Sequence, residues 1–225
     1  MFARSTEWWE SRLVYDPLQW RRGAGPKRFA AVEIEGAVEG YAVYRHEAKW
    51  EAGVPDAGRV VVLEVLARSL EAEAALWRYL LGIEWAGAVS AGRLPLDTRL
   101  FWLLAEPRRM KMRVGDGLWV RLLDVGAALS ARSYSAPGSI VFQVQDDFCS
   151  WNAGRWKLEG GEAKKTRAEA DLACDVAALG SVYLGGFTFA QLLRGGRVDE
   201  LKKGAAERAD AIFRTAVQPW CPEVF

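Results

Sequence analysis

The residues best placed to do chemistry stand at the end of the chain. Pro219-Trp220-Cys221-Pro222-Glu223-Val224-Phe225 carries two prolines, two aromatics and a valine, with no charged tail beyond. Chain ends fray unless something ties them down. An end of this composition is expected to be buried, and it takes the α-carboxylate of Phe225 inside with it. A carboxylate removed from water is either neutralised by a partner or put to use. Glu223 supplies a second acid two residues away, and Trp220 an aromatic wall beside them.

Other reactive side chains are sparse. His46 is the single histidine; it stands at the end of a strand-like run with no cysteine near it, which reads as structural rather than catalytic or metal-binding. Cys149, Cys174 and Cys221 are odd in number and unevenly spaced. That argues against a disulfide framework and favours small buried hydrophobes in a reducing, cytoplasmic setting. The Trp8-Trp9 pair suits a helix face or the wall of a site for a cationic amine. The glycine pairs Gly160-Gly161, Gly185-Gly186 and Gly195-Gly196 read as turns and helix ends, without the spacing of a nucleotide loop.

Composition narrows the class. The chain has 225 residues, 51% hydrophobic, with a net charge of +1, enough for two ordinary domains and no basic stripe for nucleic acid. No apolar run approaches the about 20 residues that span a bilayer. Arg4, Glu7 and Glu10 fall where a signal peptide would have its apolar core. Eleven tryptophans are more than a surface carries, so most are expected in cores or pocket walls.

These residues need elements to hold them. Residues 5–14 predict a helix capped by Ser5 or Thr6 and ended by Asp16-Pro17. Strands follow at 29–35, 41–46 and 60–66, the first two joined through Gly36 to Gly40. Ser69 caps a helix with Leu70, Ala74, Trp77 and Leu81 inward; a strand at 85–90 and a helix from Asp97 complete a first domain, residues 1–107. In the second, residues 108–225, alternation around Gly115-Asp116-Gly117 predicts a hairpin over 110–123. A helix over 124–131, a strand over 140–144, a hairpin across Gly160-Gly161, strand-to-helix material over 171–183, and helices over 187–193 and 199–213 follow. The fold class is α+β, with an antiparallel sheet and helices on one face in the second domain.

Five strings in order carry a resemblance: Asp16-Pro17-Leu18-Gln19-Trp20-Arg21; the run from Asp116 through Trp119 and Arg121 to Val125; Phe148-Cys149-Ser150-Trp151-Asn152-Ala153-Gly154-Arg155-Trp156; Asp175 through Tyr183 to Gly186; and Trp220-Cys221-Pro222-Glu223-Val224-Phe225. Together they resemble the enhanced intracellular survival (Eis) family of GNAT acetyltransferases over nearly the whole chain. The resemblance implies a GNAT-like domain followed by a sterol-carrier-protein-like domain, matching the family's second and third regions. A truncated GNAT-like domain and a missing N-terminal catalytic domain are therefore expected. At 67–73, where a coenzyme A loop would lie, the sequence reads Ala-Arg-Ser-Leu-Glu-Ala-Glu without glycine; no cofactor is expected on this chain, with acetyl-CoA belonging to the full-length family.

The same resemblance implies the C-terminal portion of an amine (aminoglycoside-type) N-acetyltransferase, assembled as a homo-oligomer (hexamers in the family) and inactive alone. The Phe225 carboxylate is then the general base for the substrate ammonium. Its ordinary pKa of about 3.3–3.7 is too low for that task, and burial by Trp220, Val224 and its own ring pushes it upward. Glu223, Trp220, Trp8 and Trp9 are the implied substrate-binding residues. A stand-alone sterol-carrier-like module for a lipid or small molecule is the alternative, resting on fold analogy.

Overall fold

The computed structural model describes residues 3–50 and 58–223. The chain divides into two compact units. The first runs to Gly117 and takes back the closing segment from Trp220; the second is Leu118–Pro219.

The first unit opens with a short α-helix, α1 (Thr6–Trp8), that widens into a π-helical stretch over Trp9–Val14. Ser5 caps it, its Oγ accepting the Trp8 N–H. A sheet of order β1-β2-β3-β4 follows, from β1 (Arg28–Ile34), β2 (Ala37–Glu47), β3 (Arg59–Ala67) and β4 (Ala88–Ala91). The β1–β2 turn is Glu35-Gly36 alone, both at positive φ (52° and 78°), as a two-residue hairpin loop demands. Between β3 and the parallel β4 runs α2 (Leu70–Leu81), capped by Ser69 at its start and ended at Gly82. A single turn, α3 (Leu100–Leu103), closes the run.

A β-bulge decides what each face of this sheet carries. Tyr44 pairs with Val62 and Val43 with Glu64, so Leu63 is the extra residue. Strict alternation would put Glu64 on the face of Val60 and Val62. The extra residue turns it to the face of Tyr41, Val43 and Arg45. The Val60/Val62 face, with Ala42 and Tyr44, packs on Leu76, Trp77 and Leu80 of α2 to form the core. The other face meets the N-terminal segment. There Asp16 accepts from Arg45 at 2.5 and 3.2 Å, from the Lys27 N–H at 2.9 Å, and pairs with Arg21. Lys27 Nζ donates to the carbonyls of Arg12, Leu13 and Tyr15 at the end of the opening helix, where a cation complements the free C=O groups.

The second unit carries a sheet of order β7-β6-β5-β8-β9, from β5 (Ser139–Gln145), β6 (Gly154–Glu159), β7 (Glu162–Lys165), β8 (Leu172–Asp175) and β9 (Val198–Glu200). β5 and β8 are parallel and the other pairs antiparallel, so the sheet is mixed rather than wholly antiparallel. Four helices complete the unit: α4 (Val125–Ala131), α5 (Val176–Tyr183), α6 (Phe189–Arg194) and α7 (Ala205–Phe213). Phe142, Phe189 and Phe213 meet at ring separations of 5.1–5.9 Å at the centre of the core. Side chains hold the helix ends. Asp210 accepts the N–H groups of Phe189 and Ala190 at 2.6 and 3.1 Å. Arg132, just after α4, donates to the carbonyl of Tyr183 at 2.8 Å and to that of Phe213. Its guanidinium lies over the Tyr134 and Phe213 rings. Two helix C-termini thus share one cation, and burial pulls the pKa of that guanidinium down.

The architecture is mixed, with two sheets, as α+β anticipates, and several elements depart from expectation. No strand forms over 111–123; Lys111 is left-handed (φ 50°) after a 3₁₀ turn at Pro107–Met110, and Met112, Val114 and Trp119 are exposed. Their alternation has no apolar surface to meet. In α2 the buried residues are Ala72, Leu76, Trp77 and Leu80, while Leu70 and Leu81 are exposed. Trp85, at φ 59°, cannot extend β4 backwards. Residues 199–213 split into β9 and α7 because Gly204 takes a left-handed conformation (φ 77°), and Leu201 is exposed. Among the described residues no helix is long and apolar enough to cross a membrane.

Two measurements follow. The hydrogen bond from Arg45 holds the Asp16 pKa at about 2, below the ordinary value of about 3.9. This stability is therefore full above pH about 4 and is lost as pH falls towards about 2; Asp16→Asn should flatten acid unfolding of the first unit across that window. Arg132→Met should lower the stability of the second unit by about 2 kcal/mol in urea denaturation, two charge-assisted bonds being lost.

Candidate active site

One polar cluster is built on the β2–β3 face of the first unit. Arg4 Nη1 and Nη2 donate to the two Glu64 oxygens at 2.7 and 2.6 Å, a bidentate pair whose side chains are only 5% and 6% exposed. Tyr41 lies diagonally across the strands from Glu64 and donates its hydroxyl to Glu64 Oε1 at 2.5 Å. Arg4 Nη1 also donates to the Tyr41 oxygen at 3.0 Å. The Trp8 ring lies 3.9 Å from the guanidinium carbon and that of Trp9 5.3 Å, with Trp9 edge-on to Tyr41. Arg4 Nε is buried without a hydrogen-bond partner. The Glu64 hydrogen bonds raise the Arg4 pKa, against burial, and burial raises that of Tyr41. Arg4 stays charged and Tyr41 protonated at any working pH.

The closing segment joins this cluster. Arg4 Nη2 donates to Glu223 Oε1 at 2.8 Å, with the Glu223 side chain 21% exposed. Three residues earlier, Trp220 Nε1 donates to the Arg93 carbonyl at 2.6 Å, where the backbone is left-handed (φ 56°). Pro222 between them is buried. Of the residues picked from the sequence, Trp8, Trp9 and Glu223 therefore meet around one guanidinium, while Trp220 is anchored at Arg93. Phe225 and Val224 lie outside the described residues. Sequence reading missed Arg4, Tyr41, Glu64 and Arg93. One signal was available: Glu64 is a lone acid in Val60-Val61-Val62-Leu63-Glu64-Val65-Leu66, and an acid in a buried strand needs a cation.

The β3–α2 turn does not offer a pyrophosphate cradle. The Ser69 hydroxyl already accepts the Ala72 N–H at 3.1 Å. Glu73 is drawn to Arg99 at 3.4 Å, Glu71 is exposed, and no glycine allows close backbone approach. No step is derived through a coenzyme at this turn. Elsewhere, His46 Nε2 lies 2.9 Å from the Trp85 carbonyl. Cys149 and Cys174 are buried and Cys221 half-buried, burial pushing the Cys174 thiol up to about 12. Among the described residues no group of three or more His, Cys, Asp or Glu is placed to hold a metal ion. In the second unit, Asp146 accepts from Arg121, Asn152 and the N–H groups of Phe148 and Cys149. Burial pushes its pKa up, but these donors outweigh burial and hold it at about 2. This cluster fixes a loop and presents no free acid or base.

Comparison with known proteins gives two family matches: an acetyltransferase (GNAT) domain over residues 1–122 and a sterol carrier protein domain over 125–222. An uncharacterized N-acetyltransferase of Streptomyces avermitilis is 42% identical over 221 residues, covering 96% of this chain and 54% of the relative. The N-acetyltransferase Eis of Mycobacterium tuberculosis is 33% identical over 188 residues, covering 80% of this chain and 43% of the relative. The crystal structure of Eis1 from Mycobacterium abscessus superposes with a TM-score of 0.79 at 33% identity, covering 99% of this chain and 56% of that one. The chain spans about half the length of the curated relatives it matches.

The match over residues 1–122 corrects several expectations. The GNAT-like region is not a truncated remnant, since an acetyltransferase domain lies on this chain. The description as a C-terminal portion that lends a base to a missing N-terminal domain falls with it. So does the expectation, drawn from the glycine-free run at 67–73, that no cofactor is bound by this chain, since the acetyltransferase domain is matched on it. A stand-alone carrier gains nothing either, because the sterol carrier match occurs beside an acetyltransferase domain and among acetyltransferase relatives.

Glu64→Gln breaks the buried pair from one side and leaves Arg4 charged and without its main partner. The first unit should lose about 3 kcal/mol, read as a lower urea midpoint with an unchanged slope.

Proposed function

Since this chain belongs to the acetyltransferase (GNAT) domain family, we propose that it is an amine N-acetyltransferase drawing its acetyl group from acetyl-coenzyme A. The α-carboxylate of Phe225 is the general base of this reading. One observation supports it above others. The closing segment belongs to the unit that matches the acetyltransferase domain, held there through Glu223 on Arg4 and Trp220 on Arg93.

The chemistry asks for such a group. An alkyl ammonium with a pKa of about 10 is protonated near neutrality and has no lone pair to attack a thioester. Acetyl-coenzyme A, when bound, would supply the activated acetyl group and leave as the free thiol, its sulfur taking up a proton as the amide forms. The chain must hold the amine and take its proton. A carboxylate does the second efficiently where removal from water raises its pKa. Glu223 keeps negative charge near the end of the segment, and Trp220 anchors where the segment begins. Trp8 and Trp9 form the aromatic side of the Arg4 cluster on the same unit.

The purified chain should release free coenzyme A thiol from acetyl-coenzyme A in the presence of aminoglycosides or polyamines. One glycine appended after Phe225 moves the carboxylate and should lower kcat at least 100-fold, with the thermal unfolding midpoint unchanged. No thiol release across such a panel by the folded chain would overturn the reading. Undiminished turnover by the extended chain would remove Phe225 from it.

A further inference from the structure

Tying the ends of α5 and α7 together uses only part of Arg132. Its Nε donates to the Tyr183 carbonyl and its Nη2 to that of Phe213, while Nη1 is buried without a hydrogen-bond partner. Carbonyls satisfy donors but carry no net charge, so the positive charge itself is not neutralised. None of the ion pairs among the described residues of the second unit includes Arg132. Every other arginine described in that unit is exposed, its charge solvated by water; Arg132 alone is drawn into the protein. A cation held out of water without an anion is unfavourable.

The same residue lines a cavity of about 360 Å³, within the range of roughly 300–1,000 Å³ that small-molecule sites occupy. The rest of the wall comes from the loop 133–138, the Gly160-Gly161 turn, and the core side chains Leu158 and Ile212. Arg132 is the one charged residue on it. The Tyr134 hydroxyl donates to the Leu129 carbonyl, and burial pushes its pKa up to about 12, so it supplies no anion. We propose that this cavity binds a small organic anion, its charged head beside Arg132 and its apolar body along Leu158 and Ile212. The site lies wholly within the second unit and is independent of the acetyl-transfer reading.

The local sequence leaves this space open. Gly138 lets the loop lie directly on α7, since a Cβ there would stand 2.7 Å from Ile212 Cδ1. Gly160 and Gly161, at φ 59° and 83°, turn the hairpin without bringing a side chain to the wall. The Ser135 hydroxyl is taken up by the carbonyls of Ala211 and Ile212, which pins the loop to the end of α7. The cavity therefore has a fixed wall, an apolar floor and a single unneutralised charge. A bare oxyanion would answer the charge and leave most of the volume unfilled; a neutral apolar molecule would fill the volume and leave the charge.

The test titrates the full chain at pH 7 and constant ionic strength with benzoate, with its neutral isostere benzamide, and with inorganic phosphate. Binding is followed through the amide NMR signals of Gly138, Gly160 and Gly161. Benzoate should move these signals and saturate with a Kd of about 10 mM or tighter, as befits so few heavy atoms. Benzamide lacks the charge and phosphate the apolar body, and each should bind at least about tenfold more weakly. Ser133→Asp puts a carboxylate of the chain's own beside Arg132 and leaves the ties to α5 and α7 in place. It should weaken benzoate at least about tenfold, and Arg132→Met, where folded, by as much.

Benzoate that leaves the three glycine signals unmoved overturns the proposal. Benzamide binding as tightly as benzoate removes the charge from it, and phosphate binding as tightly removes the organic body; either result overturns it. Wild-type affinity for benzoate in S133D overturns it as well, whatever the stability of R132M.

Discussion

The first unit depends on the buried charge pair of Arg4 with Glu64. Taking two charges out of water is unfavourable by several kcal/mol each, and only close geometry with further hydrogen bonds offsets it. Here the geometry is bidentate, the Tyr41 hydroxyl fills a third position, and the Trp8 ring takes the face of the guanidinium. The pair joins residues 60 positions apart. With Asp16 on Arg45 it fastens the opening helix to the sheet face that α2 leaves uncovered. The bulge at Leu63 comes before all of this, because without it the acid would point into the Val60 and Val62 core.

The second unit follows a different habit. Its core is a conventional apolar cluster, and its buried polar groups tie ends together rather than fastening faces. Asp210 holds the start of α6, Arg132 gathers the ends of α5 and α7, and Asp171 accepts the Val141 N–H and pairs with Lys202. Apart from the Asp171–Lys202 ion pair, each of these bonds satisfies a backbone group. Short helices of six to nine residues have little stability of their own, so such ties carry weight here.

What could be read from the sequence was whatever is set locally. Ser69, Asp124 and Asp175 cap helices at the places their side chains announce, and Gly160-Gly161 turns the β6–β7 hairpin at positive φ. Strand positions were legible where alternation met an apolar partner. Where it met none, as over 111–123, the same pattern misled. The Arg4 cluster was hidden for a non-local reason. Period-2 reasoning puts Glu64 with Val60 and Val62, and one extra residue reverses that; nothing near Arg4 in the sequence names a partner 60 residues on. Trp8, Trp9 and Glu223 were picked out by type, but the guanidinium that gathers them was not. The family resemblance was legible from ordered motifs, while the inference that the acetyltransferase domain lay elsewhere was not sound.

The first unit is discontinuous in sequence: the chain leaves it at Gly117 and re-enters at Trp220. To the closing segment, the whole second unit is a loop. Closing a disordered loop of about 100 residues costs about 4–5 kcal/mol in chain entropy, more than two hydrogen-bonded anchors supply. Folding of the second unit removes most of that penalty in advance, since the ends of a compact domain usually lie near each other. Melting this inserted domain should therefore loosen the chain end by entropy alone, with neither anchor altered. The stability of Leu118–Pro219 therefore enters the free energy with which Trp220 and Glu223 keep their partners in the first unit.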